Sequence, residues 1–349
     1  RSRAERGELC AGTVDTWLVA RMTSGRHLVT DASNASRTLL FDLNRGDFDA
    51  ELCDVFGIPP ALLPEVHDSS GRVALTDPAA FASLQLPVSG IAGDQQAALF
   101  GQACVSRGMS KNTYGTGSFL LVNVGDALPE PAHGLLTTVA WRSAGADTFA
   151  LEGSIFVTGA ALRWLRDGLG IITDAADAGP LFDSVPDAAG CFFIPALSGL
   201  GAPWWDPQAR GAFLGLTAGV TRAHLVRAVV EAMGFRTRDV VEAMEAASGL
   251  SIAELRVDGG ASVMDGLCQF QADLLGIPVA RAATPDATAL GAGLLAAVGE
   301  GLVDGPDAVA AAWKPGKRFE AGRPGIRPTE NYGAWLDALS RVRTGSGSV

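Results

Sequence analysis

Three short runs carry side chains that could do chemistry together. Gly90-Ile-Ala-Gly93-Asp94-Gln95-Gln96 reads as an apolar strand that stops at a glycine turn and delivers one carboxylate to the start of an Ala-rich helix. Gly115-Thr116-Gly117 reads as the tip of a strand–turn–strand. Asp258-Gly259-Gly260-Ala261-Ser262 is a second strand-to-glycine turn. A carboxylate within hydrogen-bond reach of a hydroxyl can accept its proton, and Gln95 and Gln96 could fix a hydroxylated ligand beside it. A glycine hairpin tip with a hydroxyl can form a concave anion site. Paired glycines after a strand let backbone approach a flat or charged ligand. These are the parts needed to hold a phosphate beside a general base.

Each run also has a plainer reading. Asp94 alone would serve as a helix N-cap, and Gly-Thr-Gly as a turn. Asp15, between Thr13 and Thr16, reads as a cap rather than a catalytic group. Neither G-x-G-x-x-G nor G-x-x-x-x-G-K-[ST] occurs, so a Rossmann dinucleotide site and a Walker P-loop are unsupported.

The elements that must position these residues alternate between strand and helix, which predicts an α/β protein. Residues 12–21 read as a turn and a largely buried element, and 31–38 as either a surface loop or the floor of a cleft. Residues 67–86 are the least patterned and read as a surface excursion. Leu86–Gly90 reads as a central strand, followed by a helix from Asp94 to Gln102. Beyond a boundary at 101–110, strands at Lys111–Tyr114 and Ser118–Val124 form a hairpin. Strands at Gly134–Ala140 and Phe149–Leu151 follow, then a helix over Ala160–Asp167 and a rigid aromatic loop, Ser198–Pro207. Thr221 starts a long helix that Gly249 ends. Thr288–Val298 reads as a small-residue helix able to pack tightly, and the last forty residues as a terminal helix with linkers.

At 349 residues and 48% apolar, the chain can bury the cores of about two domains. A net charge of −11 argues against nucleic acid as a main partner. The five cysteines form no C-x-x-C pair and favour a reducing, cytoplasmic compartment. The four histidines, His133 among them, show no metal spacing. The longest apolar stretches are glycine-broken and too short to span a bilayer.

The order of the three runs resembles the actin-like, ribonuclease-H-like ATPase superfold, in which two domains clamp a nucleotide. At the level of motifs the chain resembles the FGGY family of carbohydrate kinases over nearly its whole length. The runs that carry this are Gly12-Thr-Val-Asp-Thr-Trp-Leu, Thr30-Asp-Ala-Ser-Asn-Ala-Ser-Arg-Thr, Ser89-Gly-Ile-Ala-Gly-Asp-Gln-Gln and Lys111-Asn-Thr-Tyr-Gly-Thr-Gly. Leu151-Glu-Gly, Ser198-Gly-Leu-Gly-Ala-Pro-Trp-Trp-Asp-Pro, Gly211-Ala-Phe-Leu-Gly-Leu and Val257-Asp-Gly-Gly-Ala complete the set. Asp-Gln-Gln resembles the glycerol-phosphorylating branch, since the pentulose kinases usually carry Asp-Asn.

The resemblance implies two domains, 1–101 (incomplete) and 102–349, with the active site in the cleft between them. It implies ATP-dependent phosphorylation of glycerol to sn-glycerol 3-phosphate, with Mg²⁺ on the nucleotide. By position, Asp94 matches the catalytic base, Asp94 with Gln95 the glycerol-binding pair, and Phe119 an aromatic packed on the carbon side of glycerol. Thr116, Gly159 and Gly260 match nucleotide-binding positions. Another polyol or ketose as acceptor, or an assembly-type or inactive relative, stays open as an alternative, as does self-association into a dimer or tetramer. Members of the family carry a further segment ahead of this start, with a phosphate loop, a metal-associated Asp and an Arg-Glu pair. Metal ligands are therefore left unassigned, and the chain by itself is expected to be inactive. Arg163 and Met264 stand where some members have Gln and Asn, so no role is carried over to them. Leu75–Gln85 replaces a glycine-rich inhibitor loop of some members, so regulation of that kind is not expected.

Overall fold

The computed structural model describes residues 1–131, 134–284, 286–322 and 328–345, so His133 lies outside the described residues. A mixed nine-stranded sheet organises the molecule. Its strands are β1 (Ser70–Leu75), β2 (Pro87–Gly90), β3 (Ser110–Tyr114), β4 (Ser118–Gly125), β5 (Leu136–Ser143), β6 (Ala146–Ile155), β7 (Leu255–Gly259), β8 (Val279–Ala282) and β9 (Pro315–Phe319). Across the sheet they run β9-β8-β7-β3-β4-β6-β5-β1-β2. The β3–β4 hairpin lies near the centre, with β7 parallel to β3 on its other side.

Two expectations are corrected here. The segment 67–86 is not an excursion: β1 joins the sheet beside β5, through the single pair Ser70–Ser143. The run 86–90 is an edge strand rather than a central one, paired only with β1. A short apolar run cannot report its place in a sheet, but Pro87, which has no N–H to donate, suits an edge.

Period-two alternation divides the sheet chemically. Asn112 and Tyr114 on β3, Leu120 and Val122 on β4, and Leu151 and Gly153 on β6 face one side. There the helices α4 (Arg222–Ser248) and α5 (Asp265–Leu275) pack, with Tyr114 Oη bonded to Gln271 at 3.1 Å and Asn112 to Thr237 at 3.3 Å. The terminal helix α7 (Pro328–Ser340) closes this layer, Trp335 stacking on Phe235 at 5.4 Å; such aromatic pairs add about 0.5–1.5 kcal/mol beyond their burial.

On the opposite face lie Lys111 and Thr113, directly across from Leu121 and Phe119 of β4 and from Arg256 and Asp258 of β7. Helices α2 (Asp94–Gly101) and α6 (Ala287–Gly299) cover it, with Leu99, Phe100 and Leu295 packed on Leu121, Ala140 and Trp141. These two helices cross backbone to backbone. A Cβ on Gly291 would strike the Ala97 carbonyl oxygen, and one on Gly101 the Ala287 carbonyl oxygen. The expected tight packing of the small-residue helix is thus realised.

Helix α1 (Val14–Met22) takes the place of the expected buried element: Thr16 and Val19 are buried, whereas Val14, Trp17 and Leu18 are exposed. Asp15 is not its N-cap. Its carboxylate receives the Thr13 and Thr30 hydroxyls, the latter at 2.7 Å. The expected helix over 160–167 is α3 (Gly159–Arg163), which passes into a wider turn at Trp164–Gly168.

Candidate active site

Strand β2 ends at Gly90, and Ile91-Ala92-Gly93 turns the chain into α2. The turn is held from the segment after residue 30, where Asp31, Ala32, Ser33 and Ala35 are buried, so the surface-loop reading does not apply. The Gly93 N–H donates to Ser33 Oγ (2.9 Å). Ser33 is fixed by its own N–H on Asp31 (2.9 Å), which also receives Asn34 N–H (2.9 Å), Asn34 Nδ2 (2.7 Å) and Ser69 Oγ (2.5 Å). Burial pushes the Asp31 carboxyl above its ordinary range, against these donors.

Asp94 is the first helical residue and is exposed; the N-cap position belongs to Gly93, which has no side chain to cap with. The plainer reading of Asp94 as a cap therefore does not apply. Its carboxylate accepts the Gln95 N–H at 2.8 Å and, more weakly, Gln95 Nε2 at 3.4 Å. Gln96 is corrected in the other direction. It is buried and donates Nε2 to Thr138 at 2.9 Å, so it belongs to the sheet and not to a ligand. A helix turns about 100° per residue, which is why adjacent glutamines part in this way.

Beneath Asp94 and Gln95 lies Lys111, wholly buried, with Nζ 2.5 Å from Gln95 Oε1 and 3.0 Å from Thr113 Oγ1. Burial lowers its pKa to about 8, opposed by the charges of Asp258, Glu152 and Asp94. Phe119 sits directly across from Thr113 and is half-buried against the cluster under α2. Asp94, Gln95, Lys111, Thr113 and Phe119 thus form one polar-and-aromatic corner.

The other predicted residues meet in a second place. Thr116, Gly159 and Gly260 line a cavity of about 640 Å³, together with Tyr114, Arg163 and Met264. The hairpin tip is fixed under the start of α3. The Thr158 and Ala160 N–H groups donate to the Thr116 carbonyl (3.0 and 2.9 Å), and Gly159 N–H to that of Gly115 (3.1 Å). Arg163 donates to Thr116 Oγ1 at 2.9 Å. Arg163 and Met264, left without a role by sequence reasoning, both face this cavity. From Thr113 to Thr116 is three residues of chain, at most about 10 Å, so one strand end joins the two places.

The paired glycines do different work. Gly259 has φ +83°, and a Cβ there would meet the Tyr114 carbonyl; at Gly260 a Cβ would meet nothing within 4 Å. Gly259→Ala is therefore expected to cost about 2–4 kcal/mol in urea unfolding. Gly260→Ala should leave the unfolding midpoint nearly unchanged, because its methyl meets no neighbour.

Sequence reasoning assigns Lys111 no role. The signal was available: Lys111 and Thr113 alternate on one side of a strand whose other side carries the packing residues Asn112 and Tyr114.

Fold and site define a two-domain α/β protein of the actin-like, ribonuclease-H-like ATPase fold. The FGGY carbohydrate kinase model for the N-terminal domain matches residues 1–101, and that for the C-terminal domain residues 110–300. The chain belongs to the FGGY family of carbohydrate kinases. It is 52% identical to a glycerol kinase of Dechloromonas aromatica over 341 residues, 98% of this chain and 68% of that protein. It is 50% identical to a glycerol kinase of Geobacillus kaustophilus over 339 residues, 97% and 68% of the two chains. The crystal structure of Plasmodium falciparum glycerol kinase with ADP superposes with a TM-score of 0.90 at 31% identity, over 98% of this chain and 68% of that one.

Proposed function

We propose that the protein phosphorylates glycerol to sn-glycerol 3-phosphate with ATP as donor. Asp94 carries the reading. It is an exposed carboxylate at a helix start whose one short bond is to the Gln95 N–H, beside an amide fixed by a buried lysine. It stands one strand end away from a cavity large enough for a nucleotide. In this reading Asp94 accepts the proton of the attacking hydroxyl. Gln95 orients the acceptor, Phe119 covers its carbon side, and Thr116, Gly159 and Gly260 border the nucleotide. Phosphoryl transfer asks chiefly for positioning and charge neutralisation.

The use of Gly159 follows from its surroundings. Its N–H is already taken by Gly115, and a Cβ there would sit 2.5 Å from the Gly115 carbonyl oxygen. It brings two backbones together and sets the cavity wall, rather than presenting a free donor.

Among the described residues no group of three or more His, Cys, Asp or Glu could hold a metal ion. Mg²⁺ belongs to the substrate, bound through the phosphates of ATP. We divide the chain into 1–101 on the acceptor side and 102–349 on the nucleotide side, in keeping with the two domain models that match 1–101 and 110–300. We place the reaction in the cytoplasm, in keeping with the free cysteines, of which Cys53, Cys104, Cys191 and Cys268 are buried. Among the described residues no helix is long and apolar enough to cross a membrane.

The test is ADP release with MgATP and glycerol, or a panel of other polyols and ketoses, using the chain extended to the length of its relatives. Stimulation by glycerol alone is expected. Stimulation by another acceptor only, or ADP release indifferent to any acceptor, would overturn the reading.

A further inference from the structure

Lys111 has no exposed surface, and burying an ammonium is costly unless its donors are used. Two of its three protons have acceptors: Gln95 Oε1 and Thr113 Oγ1. An ammonium has no acceptor capacity, so whichever end of the Gln95 amide meets Nζ must be the oxygen. The Gln95 –NH₂ is then forced the other way, toward the Asp94 carboxylate, where Nε2 lies 3.4 Å from Oδ2. A free glutamine at a helix surface could turn its amide over; this one cannot.

We propose that Lys111 is a positioning residue for the acceptor, holding the Gln95 amide oxygen so that the amide –NH₂ faces Asp94 and the acceptor oxygen beside it. The inference rests on the phosphotransferase reading above. It assigns Lys111 no contact with substrate; its effect passes through Gln95. Thr113 is the second anchor, keeping Nζ from drifting toward the carboxylates around it.

The titratable and charged groups around the ammonium are Asp94 from α2, the Cys104 thiol just after it, which burial keeps neutral, Glu152 from β6, and Asp258 and Arg256 from β7, the last directly opposite Lys111. The acidic groups favour the protonated form and burial opposes it, which sets the pKa at about 8. The lysine is therefore charged below that pH and progressively neutral above it. Its grip on the Gln95 oxygen weakens on the alkaline side.

The experiment compares wild type, Lys111→Met and Thr113→Val in the extended chain, by ADP release against glycerol, propane-1,2-diol and propane-1,3-diol. For Lys111→Met the KM for glycerol should rise about 10- to 100-fold, the worth of a charge-assisted hydrogen bond, with the nucleotide KM unchanged. Thr113→Val should shift it in the same direction by less. For whichever diol lacks the hydroxyl that Gln95 meets, the penalty of Lys111→Met should vanish. Wild-type KM for glycerol should climb above pH 8, and that climb should be absent from Lys111→Met.

Unchanged acceptor KM in Lys111→Met overturns the inference. So does a parallel loss in nucleotide KM, acceptor KM and kcat, which marks a merely structural lysine. A wild type whose ADP release ignores every acceptor defeats the functional reading itself, and this inference with it.

Discussion

Asp94→Asn should lower kcat about 10²- to 10⁴-fold, the range of a general base, while the KM for ATP stays within a few-fold of wild type. The structure makes this substitution a clean one. Asp94 is exposed, and the bond it accepts from the Gln95 N–H at 2.8 Å is one that the Asn carbonyl oxygen can accept as well; only the 3.4 Å contact with Gln95 Nε2 is lost. Lys111 loses one acidic neighbour but keeps Asp258 and Glu152, so the unfolding free energy should change by no more than about 1 kcal/mol. What the amide cannot do is take a proton. A fall in kcat with folding and nucleotide binding intact therefore isolates that step; near-normal turnover would remove Asp94 from the chemistry.

Gly291→Ala should destabilise the protein by about 2–4 kcal/mol, although it replaces glycine in the middle of a helix. Propensity alone favours alanine by about 1 kcal/mol. Against that, the new Cβ has nowhere to go, because the Ala97 carbonyl oxygen of α2 occupies its place. Backbone cannot turn aside as a flexible side chain can, so the helices must separate, and overpacking of this kind usually costs about 1–3 kcal/mol before any loss of the surrounding contacts. Gly293→Ala, two residues along the same helix, is the control. Its Cβ would meet nothing within 4 Å, so propensity should prevail, with a gain of about 0.5–1 kcal/mol. Opposite signs from two glycines on one helix, read by urea unfolding, would establish the crossing. Stabilisation by both would refute it.

Much of the site could be read from the order of residues, and the misses have physical causes. The hairpin around Gly115–Gly117, the helix capped by Gly249 (φ +65°) and the glycine turn at 259 were legible because local rules govern them: turn chemistry, periodicity and left-handed backbone. Asp94 and Gln95 were legible for the same reason, as polar groups where an apolar strand meets a helix. The place of β1 and β2 was not, since partners such as Ser143 lie far along the chain. Gln96 was misjudged because only the helix's rotation against β5 decides that it meets Thr138. Lys111 escaped because a lysine in sequence looks like surface, and only the assembled sheet and α2 bury it. Arg163 was set aside for departing from the family pattern, yet α3 brings it to Thr116.

The crossing of α2 and α6 also limits how the molecule can move. Side chains between helices act as bearings: they change rotamer and let two surfaces slide. Where backbone touches backbone, at Gly101 with Ala287 and at Gly291 with Ala97, there are no rotamers to change, and translation is blocked at the point of contact. The two contacts fall about one turn apart on α2, so the helix is pinned to α6 at two points and not one. Asp94 lies three residues before the nearer contact, about 5 Å at the helical rise, so its place is set by backbone and not by side-chain packing.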